Sequence, residues 1–145
     1  MAKLIATRGS QWPMVASFEA SFGDTMKATD GVEKALFTTG GVFDVIQMPQ
    51  GAEVIGGELV VDVASDDTGT ATVSIGDATL ATRYGTTRNL KATARIALDL
   101  TGFVNTLGEN LRLTIANAEA DATAGKFRVN VMYVIKDRVN EVQTH

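Results

Sequence analysis

Carboxylates are the side chains of this sequence that come closest to a recognisable chemical site. The stretch DVASDDTG, residues 62–69, contains Asp62, Asp66 and Asp67, and carboxylate oxygens are the ligands that Ca²⁺ prefers. The stretch lacks the glycine and glutamate spacing of an EF-hand loop. Aspartates among Ser, Thr and Gly are typical of turns, because their side chains bond to nearby backbone amides. We therefore interpret this stretch as a turn between strands and predict no metal site.

The other residues of the sequence do not form a recognisable hydrolase site. Asp44, Glu53 and Glu58 could supply the two carboxylates of a glycosidase, but no spacing among them singles out a pair. The only histidine is His145, the last residue, and the chain has no cysteine, which removes catalytic triads and the usual zinc ligands. The sequence therefore predicts a protein that is not an enzyme, with no catalytic residue and no cofactor.

Two further groups of side chains could bind a partner rather than react. Trp12, Tyr84 and Tyr133 could stack against a sugar, although isolated aromatic residues more often pack inside a domain. In ATRYG, residues 81–85, Arg83 stands beside Tyr84 in a predicted loop, where the two could contact another protein. These residues leave a carbohydrate-binding module open as one alternative.

Composition and charge narrow the class of protein. The 145 residues are the size of one domain, and a formal net charge of −4 provides no basic surface for nucleic acid. No apolar run is long enough for a membrane span or a signal peptide, so we expect synthesis in the cytoplasm and no membrane partner. A composition with 14 glycines, two prolines and many Thr and Val residues favours strands and tight turns over helices.

Alternation of apolar and polar residues predicts strands along most of the chain. The clearest is KFRVNVMYVIK, residues 126–136, in which one face is apolar throughout and the other becomes apolar at Met132 and Val134. We expect solvent to give way to a contact there. NLKATARIALDL, residues 89–100, is also predicted to be a strand despite its good helix formers. In GVFDVIQM, residues 41–48, Phe43 and Val45 are expected on one face, with Asp44, Ile46 and Met48 on the other.

The stretch MPQGAEVIGGELVVDVAS, residues 48–65, has apolar residues on both faces of one predicted strand. Something besides the facing sheet must cover it, either a partner subunit or the chain's own loops. Gly56 and Gly57 are expected to permit a bend, a bulge or the close approach of another backbone. Short, evenly spaced strands and turns predict an all-β, jelly-roll-like antiparallel β-sandwich of about eight strands.

Five stretches, in order along most of the chain, carry a resemblance to known proteins. They are TRGSQWP, FDVIQMPQGAEVIGGELVV, ATVSIGD, ATRYG and GKFRVNVMYVIKDRVNEVQ. Together they resemble a group of small virion proteins of tailed bacteriophages. The better understood members of this group are capsid cement, or decoration, proteins, such as that of a Bordetella phage.

The resemblance implies a structural protein on the outside of a capsid, made in the cytoplasm of a host bacterium. Proteins of this kind are jelly-roll dimers that clamp neighbouring capsomers, so the implied partners are the major capsid protein and a second copy of the chain. A tail, head-fibre or adhesion module of the virion is the alternative. We expect an extended N-terminal arm (1–12), a β-sandwich domain (13–136) and a C-terminal tail (137–145). The residues expected at interfaces are Leu4, Ile5, Arg8 and Trp12 in the arm, and Gly56, Gly57, Arg83, Tyr84, Met132 and Val134 in the domain.

Overall fold

The computed structural model describes residues 12–135, and all the regular structure in that range is β-strand. These residues contain no helix that could span a bilayer. The strands are β1 (Met14–Ser21), β2 (Thr25–Lys27), β3 (Glu33–Ala35), β4 (Gly41–Ile46), β5 (Ala52–Val63), β6 (Ala71–Gly76), β7 (Gly85–Asn89), β8 (Ala94–Ala97), β9 (Val104–Asn105), β10 (Leu111–Asn117) and β11 (Lys126–Ile135).

The strands form two antiparallel sheets and a separate ribbon. The first sheet has the order β1-β11-β5-β8, with the short β9 also paired to β5, and the second sheet has the order β4-β10-β6-β7. The ribbon consists of β2 and β3. Along the chain, the long strands pass from one sheet to the other at nearly every step, which is the jelly-roll arrangement. The predicted all-β sandwich is confirmed: eight strands follow this pattern, and the short β2, β3 and β9 are additional.

The two sheets share one hydrophobic core because each strand alternates apolar and polar side chains. Phe127 of β11 is fully buried, with the ring of Phe37 5.6 Å away in an edge-on arrangement and the ring of Phe18 6.5 Å away. Burying a side chain of this size stabilises the fold by about 1.5–3 kcal/mol. A slip of one residue would turn polar side chains into this core, so the core fixes the strand register.

The long central strand β5 departs twice from regular pairing. Its register with β11 shifts at Ile55 and again at Asp62, where β5 has one extra residue. Gly57 has a φ of 142°, and a side chain there would overlap the carbonyl oxygen of Asn130 and lie 2.8 Å from Leu98 Cδ1. The structure thus confirms both a bulge and a close approach of a neighbouring backbone beside the Gly-Gly pair.

One predicted face assignment, in β4, is wrong. The register between β4 and β10 shifts at Val45, which is an extra residue between Asp44 and Ile46. This residue reverses the alternation, so Ile46 and Met48 are buried together with Phe43 rather than opposite it. The bulge has no glycine that would mark it in the sequence.

Candidate functional site

The outer face of the first sheet, turned away from the core, carries a shallow depression of about 340 Å³. It lies where three strands meet in register: Val15 of β1 is opposite Met132 of β11, which is opposite Gly56 of β5. We call it the glycine depression. The residues that line it are Val15, Gly57, Glu58, Asn130, Val131 and Met132.

Two successive residues of β5 beside the depression have no side chain, and of these Gly56 is the one whose open position lies on the outer face, since a side chain at Gly57 would point toward the buried Leu98. At Gly56, a Cβ would lie 2.9 Å from Met132 Cε, so the missing side chain leaves room beside that methionine. At Gly57 the close approach of β11 excludes any side chain. Val15 is 70% exposed, Ile55 40% and Met132 37%, so aliphatic groups around the depression are open to solvent. Exposed apolar groups gathered in this way are typical of surfaces that bind another protein.

Polar groups stand at the side of the depression and are held in place by their neighbours. The Ser17 hydroxyl donates a 2.7 Å hydrogen bond to Asn130 Oδ1. The Arg95 guanidinium donates two bonds to the Glu58 carboxylate, at 2.9 and 3.0 Å. Exposed ion pairs add at most about 1 kcal/mol to stability, so this pair mainly holds the two side chains in position.

Next to the depression, the chain covers the same face itself. Val60 faces outward but is only 5% exposed, and its register partners on the two flanking strands are Arg128 and Arg95. Arg128 also binds Asp62 at 3.0 Å. Long arginine stems readily cover apolar surface. The chain therefore covers Val60 with side chains of the neighbouring strands, not with loops, and leaves Ile55 and the depression exposed. Cover by a partner subunit stays a prediction.

Several of the predicted interaction residues gather on this face. Gly56, Gly57 and Met132 form the depression or its edge, and the half-buried Val134 continues the same side of β11. Trp12 is 82% exposed and lies just before β1. The other predicted arm residues, Leu4, Ile5 and Arg8, lie outside the described residues.

The structure corrects the predicted loop contact of Arg83 and Tyr84, because both side chains serve the fold. Arg83 binds the buried carboxylate of Asp77, and its guanidinium carbon lies 3.4 Å from the centre of the Phe103 ring. Burial raises the pKa of Asp77, but hydrogen bonds, first that of Arg83, outweigh it and hold this pKa below its ordinary value. Tyr84 is 5% exposed, and burial raises its pKa. Tyr84 is thereby also removed from the predicted sugar-stacking platform.

The aspartates first considered as calcium ligands instead tie two loops together. Asp66 accepts bonds from the hydroxyl and the amide of Thr123 in the β10–β11 loop. Asp121 of that loop reciprocates by accepting from the amide and the hydroxyl of Thr68, at 2.9 and 2.6 Å. The buried Asp67 accepts from amides of both loops, those of Gly69, Glu119 and Ala120. We call Asp66, Asp67 and Asp121 the aspartate clasp. Of the stretch interpreted as a turn, Asp62 and Val63 belong to β5, and the remaining residues lie in the loop that crosses to β6 in the other sheet, so the two strands do not form a hairpin.

Within residues 12–135, the aspartate carboxylates considered above bond to neighbouring side chains and backbone amides rather than forming a metal or catalytic site. The hydroxyl and amide of Thr123 lower the pKa of Asp66, and those of Thr68 lower the pKa of Asp121. Within residues 12–135, no group of three or more His, Cys, Asp or Glu side chains is placed to hold a metal ion. The carboxylates considered for glycoside hydrolysis are not brought together, because Asp44 binds Arg112 on the second sheet, and Glu53 and Glu58 are five residues apart on β5, roughly 16 Å along the strand.

Sequence reasoning missed four residues that line the depression: Val15, Glu58, Asn130 and Val131. For Val15 the sequence did contain a signal. The next two positions on the same face of β1 are the polar Ser17 and Glu19, so an apolar residue at position 15 is unusual there. Glu58 and Asn130 are ordinary polar residues at outward positions, and only the register of β5 against β11 brings them beside the glycines.

The fold and this surface define a class of protein: a jelly-roll sandwich with a partly apolar, solvent-exposed sheet face. The chain is similar to a chain in the capsid asymmetric unit of cyanophage Pam1, with a TM-score of 0.63 and 27% identity over 91% of this chain and 92% of that one. It is thus related to proteins of phage capsids.

Two further structures share the fold. One is the acid-stable capsid of Helicobacter pylori bacteriophage KHP30, with a TM-score of 0.55 and 20% identity over 84% of this chain and 92% of that one. The other is the capsid of Ralstonia phage GP4, with a TM-score of 0.54 and 12% identity over 92% of this chain and 90% of that one. No protein-family model matches the chain, and no curated protein matches its sequence.

Proposed function

We propose that this protein is a cement, or decoration, protein that binds the outside of a phage capsid as a homodimer and stabilises the assembled shell. One observation carries the proposal: the chain aligns over 91% of its length with 92% of a chain from a cyanophage capsid. The alignment spans the whole sandwich rather than a single hairpin. This likeness supports a structural role in the virion and a protein that is not an enzyme.

The mechanism is one of binding rather than of chemistry. A protein that binds the assembled shell, and not the free capsomers, shifts the equilibrium toward assembly by mass action. A dimer that spans two major capsid subunits gains further, because its first contact raises the effective concentration of the second. Many copies with individually weak contacts can therefore hold the shell against internal pressure.

The glycine depression is the surface that we assign to the capsid. It has room for an aliphatic side chain of a major capsid subunit beside Val15 and Met132, and Glu58 and Asn130 can accept or donate hydrogen bonds at its side. Burying one Leu or Ile side chain contributes about 1.5–3 kcal/mol. A contact of this size suits a clamp that acts in many copies.

The proposal is tested with shells of the parent phage that lack this protein. Purified protein is added over a range of concentrations, and bound protein is measured after cosedimentation. We expect wild type to saturate the shells, and Met132→Asp to bind at least about 10-fold more weakly, because a buried unpaired carboxylate is costly. Thr114→Asp, on the outer face of the second sheet, is the matched control and should bind like wild type.

Each outcome has a defined meaning. Equal binding by wild type and Met132→Asp would remove the depression from the interface but leave the cement function standing. Absence of wild-type binding would contradict the cement function and favour a tail, head-fibre or adhesion role.

The N-terminal arm gives a second, independent contact to test. Deleting residues 1–11, which include Leu4, Ile5 and Arg8, should lower shell occupancy while the thermal unfolding of the domain is unchanged. Unchanged occupancy would show that the arm takes no part in binding.

A further inference from the structure

Apart from the two-residue β9, four strands form the lateral edges of the two sheets, and three of these edges are protected against pairing with another chain. The edge strand β8 has only four residues and carries the exposed, charged Arg95. In β4 the carbonyl of Val42 already accepts a 2.8 Å bond from the amide of Thr29. In β7 the chain is irregular at Thr87, which has a φ of 43° and donates its amide to the Ser74 hydroxyl. Short length, charge, irregularity and cover are the usual ways to protect an edge.

The fourth edge, β1, has none of these protections. All eight residues from Met14 to Ser21 pair with β11 without a register shift. The strand contains no proline, lysine or arginine, and Glu19 is its only charged residue. A long, regular, exposed edge of this kind is a template to which another strand can add.

The directions of the backbone groups show which residues of β1 face the free edge. Phe22 donates its amide to a carbonyl of the loop before β11, at 2.8 Å, so Phe22 faces β11. Ser21 instead forms both its backbone bonds with the turn that follows β1. Because backbone groups of a strand point alternately to its two sides, the free edge carries the amides and carbonyls of Val15, Ser17 and Glu19. Within residues 12–135, these groups have no hydrogen-bond partner.

We propose that β1 pairs antiparallel with β1 of a second copy of this chain, so that the first sheets of both copies become one continuous sheet. With the two-fold axis at Ser17, Val15 of each copy lies opposite Glu19 of the other, and about six hydrogen bonds form between the chains. This register keeps the two Glu19 carboxylates apart, whereas an axis at Glu19 would place them directly opposite each other.

Two observations favour a second copy as the occupant of this edge. An antiparallel pair of identical strands matches donors with acceptors by symmetry, so the free groups of β1 complement themselves. The two glycine depressions would also lie on one side of the joined sheet, related by the axis, because Val15 belongs both to β1 and to the depression. The dimer would then present two equivalent contacts to a shell, which is the part of the inference that depends on the proposed function.

The test is the oligomeric state of the free protein, measured by sedimentation over a range of concentrations without shells. We expect wild type to be a dimer. Ser17→Pro removes an amide that points away from β11, so β1 should stay in its sheet while the dimer dissociation constant rises about 100-fold or more. Ser17→Ala, which loses only the hydroxyl, should remain a dimer. Ala97→Pro, the same change on the free edge of β8, should also remain a dimer.

Residue-resolved amide exchange separates this dimer from any other. In the proposed dimer the amide hydrogens of Val15, Ser17 and Glu19 exchange slowly. In Ser17→Pro, which has no amide hydrogen at position 17, those of Val15 and Glu19 should exchange fast. A monomeric wild type, or a dimer in which these amides exchange as fast as in Ser17→Pro, would overturn the inference. A wild-type dimer with protected amides that fails to bind shells would leave the inference standing and contradict the proposed cement function instead.

Discussion

The outer faces of the two sheets differ in what they show to solvent. Within residues 12–135, the exposed large hydrophobic side chains that belong to strands are Val15, Ile55, Val63 and Met132, and all four are in the first sheet. In the middle of the second sheet the outward residue is Thr114. Its register partners, Val42 of β4 and Ser74 of β6, are half-buried. The two faces thus differ although both sheets have four long strands and share one core.

The two outer faces differ in how completely the chain's own side chains cover them. The second sheet closes its own face, with Arg112 bound to Asp44 across β10 and β4 at 2.7 Å. The first sheet uses arginines in the same way over Val60, but the Gly-Gly pair interrupts that cover. Exposed aliphatic groups gathered at such an interruption are typical of a surface that binds another protein, as the proposed function requires.

The largest effect that we expect comes from the glycines that interrupt the first sheet. Gly57→Ala should lower the free energy of unfolding by about 3 kcal/mol, because the new methyl group overlaps the Asn130 carbonyl in an unfavourable backbone conformation. Gly56→Ala should cost less than about 1 kcal/mol, since its methyl group meets only the mobile end of Met132. Urea denaturation of both variants measures the difference, and equal losses would show that the depression is not built around Gly57.

A smaller effect is expected where the chain passes between the two sheets. The aspartate clasp joins the β5–β6 loop, which leads from the first sheet to the second, to the β10–β11 loop, which leads back. Asp67→Ala removes a buried carboxylate and leaves three part-buried hydrogen-bond donors without their acceptor, so it should lower the free energy of unfolding by about 2 kcal/mol. The control Asp62→Ala breaks a partly exposed ion pair and should cost less than about 1 kcal/mol. Similar losses in the two variants would contradict the role of the clasp.

The smallest effect that we expect is on how the stability of the fold depends on acid pH. The pKa values of Asp66 and Asp121 are lowered below 3.8 in the folded protein, so their stabilising bonds are fully present above pH 3.8 and are lost as the pH falls through the lower folded values. The Asp66→Asn/Asp121→Asn double variant should therefore show a weaker fall in stability on acidification. Denaturation curves measured at several values between pH 5 and pH 2 check this, and an unchanged acid dependence would argue against it.

The sequence carries the alternation that defines this fold, and the strands with strict alternation were predicted correctly. Within NLKATARIALDL, residues 89–100, only Ala94–Ala97 form the strand β8, where pairing with β5 outweighs the local preference for helix. The bulge at Val45 could not be predicted, since it depends on how β4 meets β10. Arg83 lies in the predicted loop, but its loop position does not reveal its buried partner Asp77.

The site was less accessible to prediction than the fold. Gly56 and Gly57 were identified as unusual inside an apolar strand, and the bulge beside them was expected. What the sequence could not provide was the lateral neighbourhood, because Val15, Glu58 and Asn130 come from three strands far apart in the chain. Cross-strand register is a property of the assembled sheets and leaves little trace in any one strand.

The pairing of β1 with β11 also has a consequence for how the chain acquires its structure during synthesis. Met14 is the register partner of Tyr133, so the first long strand cannot find its neighbour until nearly the whole described chain has left the ribosome. Until then β1 lacks the strand with which it pairs, and its aliphatic residues are exposed to solvent or to a chaperone. We therefore expect nascent chains to remain unfolded late into translation and to close into the sandwich in a single slow step, once β11 is released.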